Sequence, residues 1–526
     1  MILEAGPRFD ANDHLERMER ELRPSFDRRD VWDMGGKRDQ FTNAGSVPYA
    51  LNRARVKGVG GTTLHWQGMV PRLHPEDFEM ESRYGVGSDW PISYSSLEPY
   101  YGAAEREIGV AGAPNEYSGE RSEEYPLPAH PPSYLDELCR DAFEDVGMRL
   151  HSNPVAIASE SYEGRTSCVG YGTCNPVCPS GAKYSADVHA RRSEQAGATI
   201  RHDAPVMRLL PNENGTHVDA VEYRYNGELN TLQASIYVLA AGGIETPRLL
   251  LQSACDAAPN GLANSSGAVG RYFMEHPSIK LEGRRGQPSR HDLIGFDTGL
   301  SEAFYGHTDG PTGSMLFIVD NDTSPSPVEA ALTSSSHLVD LLGGDTPSVF
   351  GDTVSGDAIL RQVAEAYGDR VGIGVLVEQL PNEENHISLD PDTTDTYGNP
   401  VPHLNIGIDE TTEATLERAQ SVLHDLFDAL EIRDTREIGS PRQPSFSNQH
   451  LGTVRMGQDP QSSVVDEHLQ THDVDNLFLS TSGVFPTGGA APPTLTIAAL
   501  TLRLADHLLE ELGTRAVNTR LVTPVE

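Results

Sequence analysis

The order of apolar and polar positions divides this 526-residue chain into stretches of different kinds. Short apolar runs closed by small residues occur as MILEA at 1–5, IYVLAAGG at 236–243 and NLFLS at 476–480. They predict buried strands of a parallel sheet, since strands covered on both faces need no polar alternation. HVDAVEYRY at 217–225 alternates, and IGVLVEQLP at 373–381 and HISLDPD at 386–392 read as strands of an antiparallel sheet. Helical spacing marks Ser133–Val146, Ser185–Gln195, Ile244–Ala254 and Thr411–Leu430, and TLTIAAL at 494–500 begins an apolar helix.

The fold class this predicts is α/β plus antiparallel β. Residues 1–110, 166–275 and 446–526 form a discontinuous Rossmann-like domain, and 276–445 an antiparallel-sheet substrate domain. The span 111–165, rich in Pro, Glu, Ser and Tyr, is expected to run over the surface. MILEAGPR reads as the second strand of a dinucleotide-binding unit, with Glu4 as the acid that takes the ribose hydroxyls. The first strand, its G-x-G-x-x-G turn and helix should precede it by roughly 20–30 residues. That first βα unit is missing from the sequence as given, so the expectation is a truncated start or a site without its pyrophosphate cradle.

Charge changes the picture next. There are 77 acids against 40 bases, a net −37, and four of the bases are lysine: Lys37, Lys57, Lys183 and Lys280. Acids spread along the whole chain would repel one another unless salt screens them, which reads as adaptation to a salty cytoplasm. Nucleic acid and anionic membranes are poor partners for such a surface. No run of eighteen apolar residues and no signal-peptide pattern occurs, so no direct membrane span and a cytoplasmic location are expected. Export or membrane association would then go through a partner.

Several separated motifs resemble the glucose–methanol–choline (GMC) flavoprotein oxidoreductases. They are LEAGP at 3–7, VGGTTLHWQGMVPR at 59–72, VLAAGGIETPRLLLQS at 238–253 and VGRYFMEHP at 269–277. HLGTVRMG at 450–457, VVD at 464–466 and NLFLSTSGVFPT at 476–487 follow. The resemblance implies a discontinuous FAD-binding domain and hydride transfer from an alcohol or sugar carbinol to the flavin. It assigns Glu4 to the adenosine ribose, Gly60, Gly61 and Thr62 to the flavin and its phosphates, and Val206 to the adenine. Ala241 and Gly242 would line the cofactor at a strand end, and Thr481 and Ser482 would approach the pyrophosphate and ring. Many relatives have Asp where Thr481 stands. Pyranose oxidases carry a His-Trp where His65-Trp66 stands and attach the flavin through that histidine; related dehydrogenases carry it without the bond.

An imidazole suits removal of a hydroxyl proton, because its pKa lies near neutrality. His450 is the expected base, with Gln449 the alternative, because many relatives read His-x-x-Gly-Thr and Gln449 holds that spacing here. A polar residue usually precedes the final Pro-Thr-Leu-Thr run; here it is Pro492, which offers neither donor nor acceptor. Cys168, Cys174 and Cys178 lie within eleven residues. Zinc would want a fourth ligand, and uncommitted thiols are a further reading. The pattern, with Pro179 behind it, is most similar to the iron–sulfur-containing sugar and gluconate dehydrogenase branch. That likeness implies a 3Fe-4S cluster, a small subunit, and a cytochrome or quinone acceptor. A cluster-free oxidase or choline-type dehydrogenase, or a non-catalytic subunit, are the alternatives.

Overall fold

The computed structural model describes residues 1–21, 31–115, 117, 119–285, 294–307, 312–321, 357 and 370–513. The apolar runs pair in parallel as expected, but two of the strands are not covered on both faces. Ile2–Leu3 pairs in parallel with Ile200–Arg201, and Tyr237–Leu239 with Leu477–Leu479. Among the described residues these remain separate two-stranded sheets, with Ile2 46% and Val238 43% exposed. Alternation in Val218–Tyr225 yields the middle strand of an antiparallel ribbon between Val206–Pro211 and Glu228–Leu232.

The second layer is a seven-stranded antiparallel sheet. Its order runs Arg433–Ile438, Pro277–Arg284, Arg370–Val377, Met315–Val319, Gly299–Ser301 and His151–Ser152, with Ser445–Phe446 beside Pro277–Arg284. The 20-residue helix Glu410–Ala429 covers one face through Leu416, Ala419, Leu423 and Leu426, spaced three to four apart. Asp409 caps it by accepting the Thr412 N–H at 2.7 Å. Residues 111–165 do more than cross the surface. Their helix Tyr134–Asp145 turns Leu135, Cys139, Ala142 and Phe143 into the same core, and His151–Ser152 closes the sheet edge. Spacing of i, i+4, i+7 and i+8 puts those four side chains on one stripe.

The layers are stitched by charge as well as by apolar contact. Buried Arg72 donates to Glu105 (Nε 2.8 Å, Nη2 3.0 Å) and to Glu98 (2.9 Å), fixing helix Tyr94–Ile108 against the segment after residue 69. Burial pushes the guanidinium down, but the Glu105 carboxylate, helped by the Tyr94 hydroxyl, holds it well above its usual range. Helix Thr494–Glu511 packs on this helix, joined by the Tyr101 and Thr496 hydroxyls 2.8 Å apart. Among the described residues no helix is long and apolar enough to cross a membrane.

Candidate active site

Strand ends carry the site because each apolar run stops at small residues that free its backbone. Leu3 leads to Glu4, whose Oε1 accepts the Gly6 N–H at 2.8 Å. Gly6 must be glycine, since a Cβ there would sit 2.1 Å from the Lys57 carbonyl oxygen. Burial pushes Glu4 up, while the Gly6 N–H and the Lys57 ammonium pull it down. The Glu4 carbonyl accepts the Ala204 N–H at 2.8 Å, bringing the start of the strand at Val206 close to that acid.

Val59 donates to the Pro7 carbonyl at 3.0 Å, so the Gly-Gly-Thr-Thr turn follows directly beside this corner. Gly60 (φ 109°) and Gly61 (φ 54°) hold left-handed backbone, which only glycine adopts at no cost. No heavy atom lies within 4 Å of where a Gly61 side chain would begin. Thr62 is exposed, His65 and Trp66 are half-buried, and Trp66 Nε1 donates to the Tyr184 carbonyl at 2.8 Å.

Across the site, Tyr237–Leu239 delivers Ala240, Ala241 and Gly242, all exposed, to the start of helix Gly242–Gln252. Here the C-terminal stretch arrives. Thr453 Oγ1 donates to the Gly243 carbonyl at 2.6 Å, and Ser482 Oγ donates to the His450 carbonyl at 2.6 Å. A Cβ on Gly243 would meet the His450 carbonyl oxygen at 2.2 Å, so this glycine permits the contact. Thr481 Oγ1 accepts the Gly483 N–H at 3.2 Å, capping the turn Ser482–Val484. Three distant motifs thus converge on one helix N-terminus, which favours a bound anion.

His450 and Gln449 face different neighbours. His450 Nε2 lies 2.9 Å from Tyr49 Oη, and that hydroxyl donates to Glu275 Oε1. The hydroxyl hydrogen being spent on Glu275, the imidazole is the donor in its bond to Tyr49. Burial and the Arg55 guanidinium push His450 down to about 3, so its ring is neutral at pH 7. Glu275 also accepts the backbone N–H of Gln449 (2.8 Å) and of His276 (2.9 Å), and burial pushes its carboxyl up to about 8 against those bonds. Gln449 turns its carboxamide to the fully buried His276 ring, and Pro492 is buried. Sequence motifs alone assign no role to Tyr49 or Glu275. Glu275 and His276 stand inside the VGRYFMEHP motif, which was the available signal; Tyr49 carried none.

The three clustered thiols share one loop and one small apolar cluster with Phe296 and Ile294. Cys174 Sγ lies 3.5 Å from the Ile294 carbonyl, and the Lys183 N–H donates to Cys178 Sγ at 3.5 Å. Among the described residues no three His, Cys, Asp or Glu side chains are arranged to hold a metal. A cavity of ≈ 200 Å³ lies between this loop and the turn at Leu64, lined by Leu64, Arg165, Cys178 and Lys183 among others.

Comparison with known proteins decides the family. Models of the N- and C-terminal parts of the GMC oxidoreductases match residues 42–278 and 381–501. The chain belongs to the GMC oxidoreductases. It is similar to the fructose dehydrogenase large subunit of Gluconobacter japonicus, 32% identical over 97% of this chain and 93% of that one. The 2-methyl-1,2-propanediol dehydrogenase of Mycolicibacterium austroafricanum is 32% identical over 88% of this chain and 82% of its own. A formate oxidase structure from Aspergillus oryzae superposes with a TM-score of 0.65 at 15% identity, covering 97% of this chain and 93% of that one, which speaks to the fold alone. As a GMC oxidoreductase the chain is an FAD-dependent dehydrogenase, with the family's flavin-binding and antiparallel substrate layers. The open space at Gly61 and at Gly242, and the exposed Ala240–Gly242 strand end, fit the close approach of backbone to a flavin dinucleotide.

Proposed function

We propose that this GMC oxidoreductase oxidises the CH–OH group of a sugar, sugar acid or other hydroxylated alcohol and passes the electrons to a redox partner. One observation carries the reading. Gly243, the 449–453 turn and Ser482 meet beside a strand end with open space for FAD, and buried imidazoles stand next to that turn. Bound FAD supplies the hydride acceptor. Glu4 would hold the ribose, Val206 the adenine edge, and Gly60, Gly61, Thr62, Ala241 and Gly242 the phosphates and flavin. His65 and Trp66 would flank the ring without a covalent bond. Thr481 and Ser482 act through the backbone they order, since their hydroxyls are engaged within the protein.

The relatives named for fructose and for 2-methyl-1,2-propanediol support an alcohol substrate, and the term large subunit supports a partner chain. Exposed Val169 (65%) and Tyr171 (53%) beside Cys168 offer such a partner an apolar foothold. Cys168, Cys174 and Cys178, on one loop, would hold an iron–sulfur relay; the second reading is a dehydrogenase without the cluster. Iron and sulfide assays on anaerobically purified protein separate the two. The acid-rich surface is read as tuned to molar salt.

The deciding experiment reconstitutes the chain with FAD in molar KCl. It follows bleaching of the flavin band by D-fructose, D-gluconate, 1,2-propanediol and choline under anaerobic conditions. The expected result is reduction by at least one hydroxylated compound. Absence of bound flavin, or a flavin that none of them reduces, removes the enzyme reading.

A further inference from the structure

His276 follows the GMC motif's Glu275 and is 0% exposed. Its ring is held in one tautomer. Nε2 lies 2.9 Å from the Gly489 carbonyl, an acceptor only, so Nε2 carries the hydrogen and donates. Gly489 cannot drift, because its loop is clamped on several sides. Thr487 Oγ1 donates to the Asp77 carbonyl at 2.9 Å and accepts from Trp90 Nε1 at 2.8 Å. Ala490 N donates to Tyr305 Oη at 3.2 Å, and Tyr305 donates to Asp77 at 2.9 Å.

The lone pair of the neutral ring is therefore on Nδ1. That atom is buried without a hydrogen-bond partner, and so is Oε1 of Gln449 beside it. The carboxamide oxygen faces the ring, where it would bond the protonated form but finds no hydrogen on the neutral one. Burial keeps His276 below the usual imidazole range, with the Glu378 carboxylate pulling the other way, so the lone pair is present at neutral pH. Glu275 sets both groups in place through one carboxyl, accepting the His276 N–H on Oε2 and the Gln449 N–H on Oε1. Two neighbouring acceptors with no donor are a costly arrangement in a buried site unless something arrives to donate. A single hydroxyl has one hydrogen and satisfies one of them. Two adjacent hydroxyls satisfy both. His450 also commits Nε2 to Tyr49, leaving its lone pair on Nδ1; what sets His276 apart is its buried, unpartnered Nδ1 with Gln449 Oε1 buried and unpartnered beside it.

We propose that His276 Nδ1 is the base for this oxidoreductase and that the His276–Gln449 pair selects a vicinal diol, supplying the polar group that Pro492 does not. The inference rests on the alcohol-dehydrogenase reading above. The hydroxyl being oxidised donates to Nδ1 and its neighbour donates to Gln449 Oε1. Bound FAD would supply the acceptor for the carbinol hydrogen and its two electrons, while His276 Nδ1 would take the hydroxyl proton and the product would leave as a carbonyl compound. The proton on His276 is then lost to solvent.

The test measures anaerobic flavin reduction by 1,2-propanediol, 1-propanol and D-fructose, in molar KCl, for the wild-type chain, His276→Asn and Gln449→Leu. Flavin absorbance verifies that each variant is loaded; His276→Gln replaces His276→Asn should the latter fail to hold FAD. Wild type is expected to prefer the diols over 1-propanol by at least about tenfold. His276→Asn should lose about 10²–10⁴-fold in reduction rate with flavin retained. Gln449→Leu should erase the diol preference, mainly through KM. A loaded His276 variant that is reduced at the wild-type rate overturns the assignment while leaving the enzyme reading intact. The assignment falls equally if His450→Ala abolishes reduction and His276→Asn does not. A wild-type flavin that no compound reduces overturns both.

Discussion

Glu302 stands between two imidazoles, with His74 Nε2 3.1 Å from Oε1 and His151 Nε2 3.1 Å from Oε2. Burial pushes its carboxyl up, but His151 and His74 outweigh burial and bring it down to about 2. A folded value below the unfolded 4.5 means this stabilisation is complete above pH 4.5 and is lost as pH falls towards 2. Glu302→Gln should therefore destabilise the protein by about 3–5 kcal/mol at pH 7. The difference in thermal midpoint from wild type should shrink on titration from pH 5 towards pH 3. At this scale the sequence was a partial guide to the site. Glu4, His450 and the glycine turns stood out because turn chemistry and family spacing are local. Tyr49, 401 residues from His450, did not stand out, because nothing in a linear pattern records which buried hydroxyl meets which ring.

Between elements, one lysine does much of the joining. Buried Lys183 donates from Nζ to the carbonyls of Trp66 (2.7 Å), Leu64 (3.2 Å) and Cys174, so one ammonium holds both the Leu64–Trp66 segment and the cysteine loop. Lys183→Met keeps the apolar stem but leaves those carbonyls without their donor, at roughly 1–3 kcal/mol for each one left unpaired. The variant should melt earlier and release FAD faster, read by thermal shift and by flavin fluorescence after dilution. Arg at this position should recover little, being too broad for a three-carbonyl socket. Strand and helix existence was readable from period: the expected helix 411–430 is found as Glu410–Ala429, and Val218–Tyr225 alternates as expected. Pairing across the chain was not readable. Thr42–Ala44 joins Pro400–Asn405 in parallel, and three residues hold too little pattern to announce a partner so far away.

For the molecule as a whole, a net −37 sets the conditions under which any of this chemistry is visible. Screening over about 10 Å at 0.1 M salt falls to about 3 Å at 1 M, which removes most repulsion between neighbouring surface acids. The thermal midpoint should rise by about 5 °C or more between 0.1 M and 2 M KCl. An unchanged midpoint would rule out the salt-adapted reading of the surface. The two parallel strand pairs also have a bearing on how the protein is made. Tyr237–Leu239 waits for Leu477–Leu479, and Gly243 for the His450 carbonyl, so this strand-end corner is completed by residues emerging late from the ribosome, whereas Ile2–Leu3 needs only Ile200–Arg201. Such distant pairing is slow to form. If flavin binds at this corner as proposed, its capture belongs to the nearly finished chain rather than to the growing one, and the nascent protein must stay unaggregated without it until then.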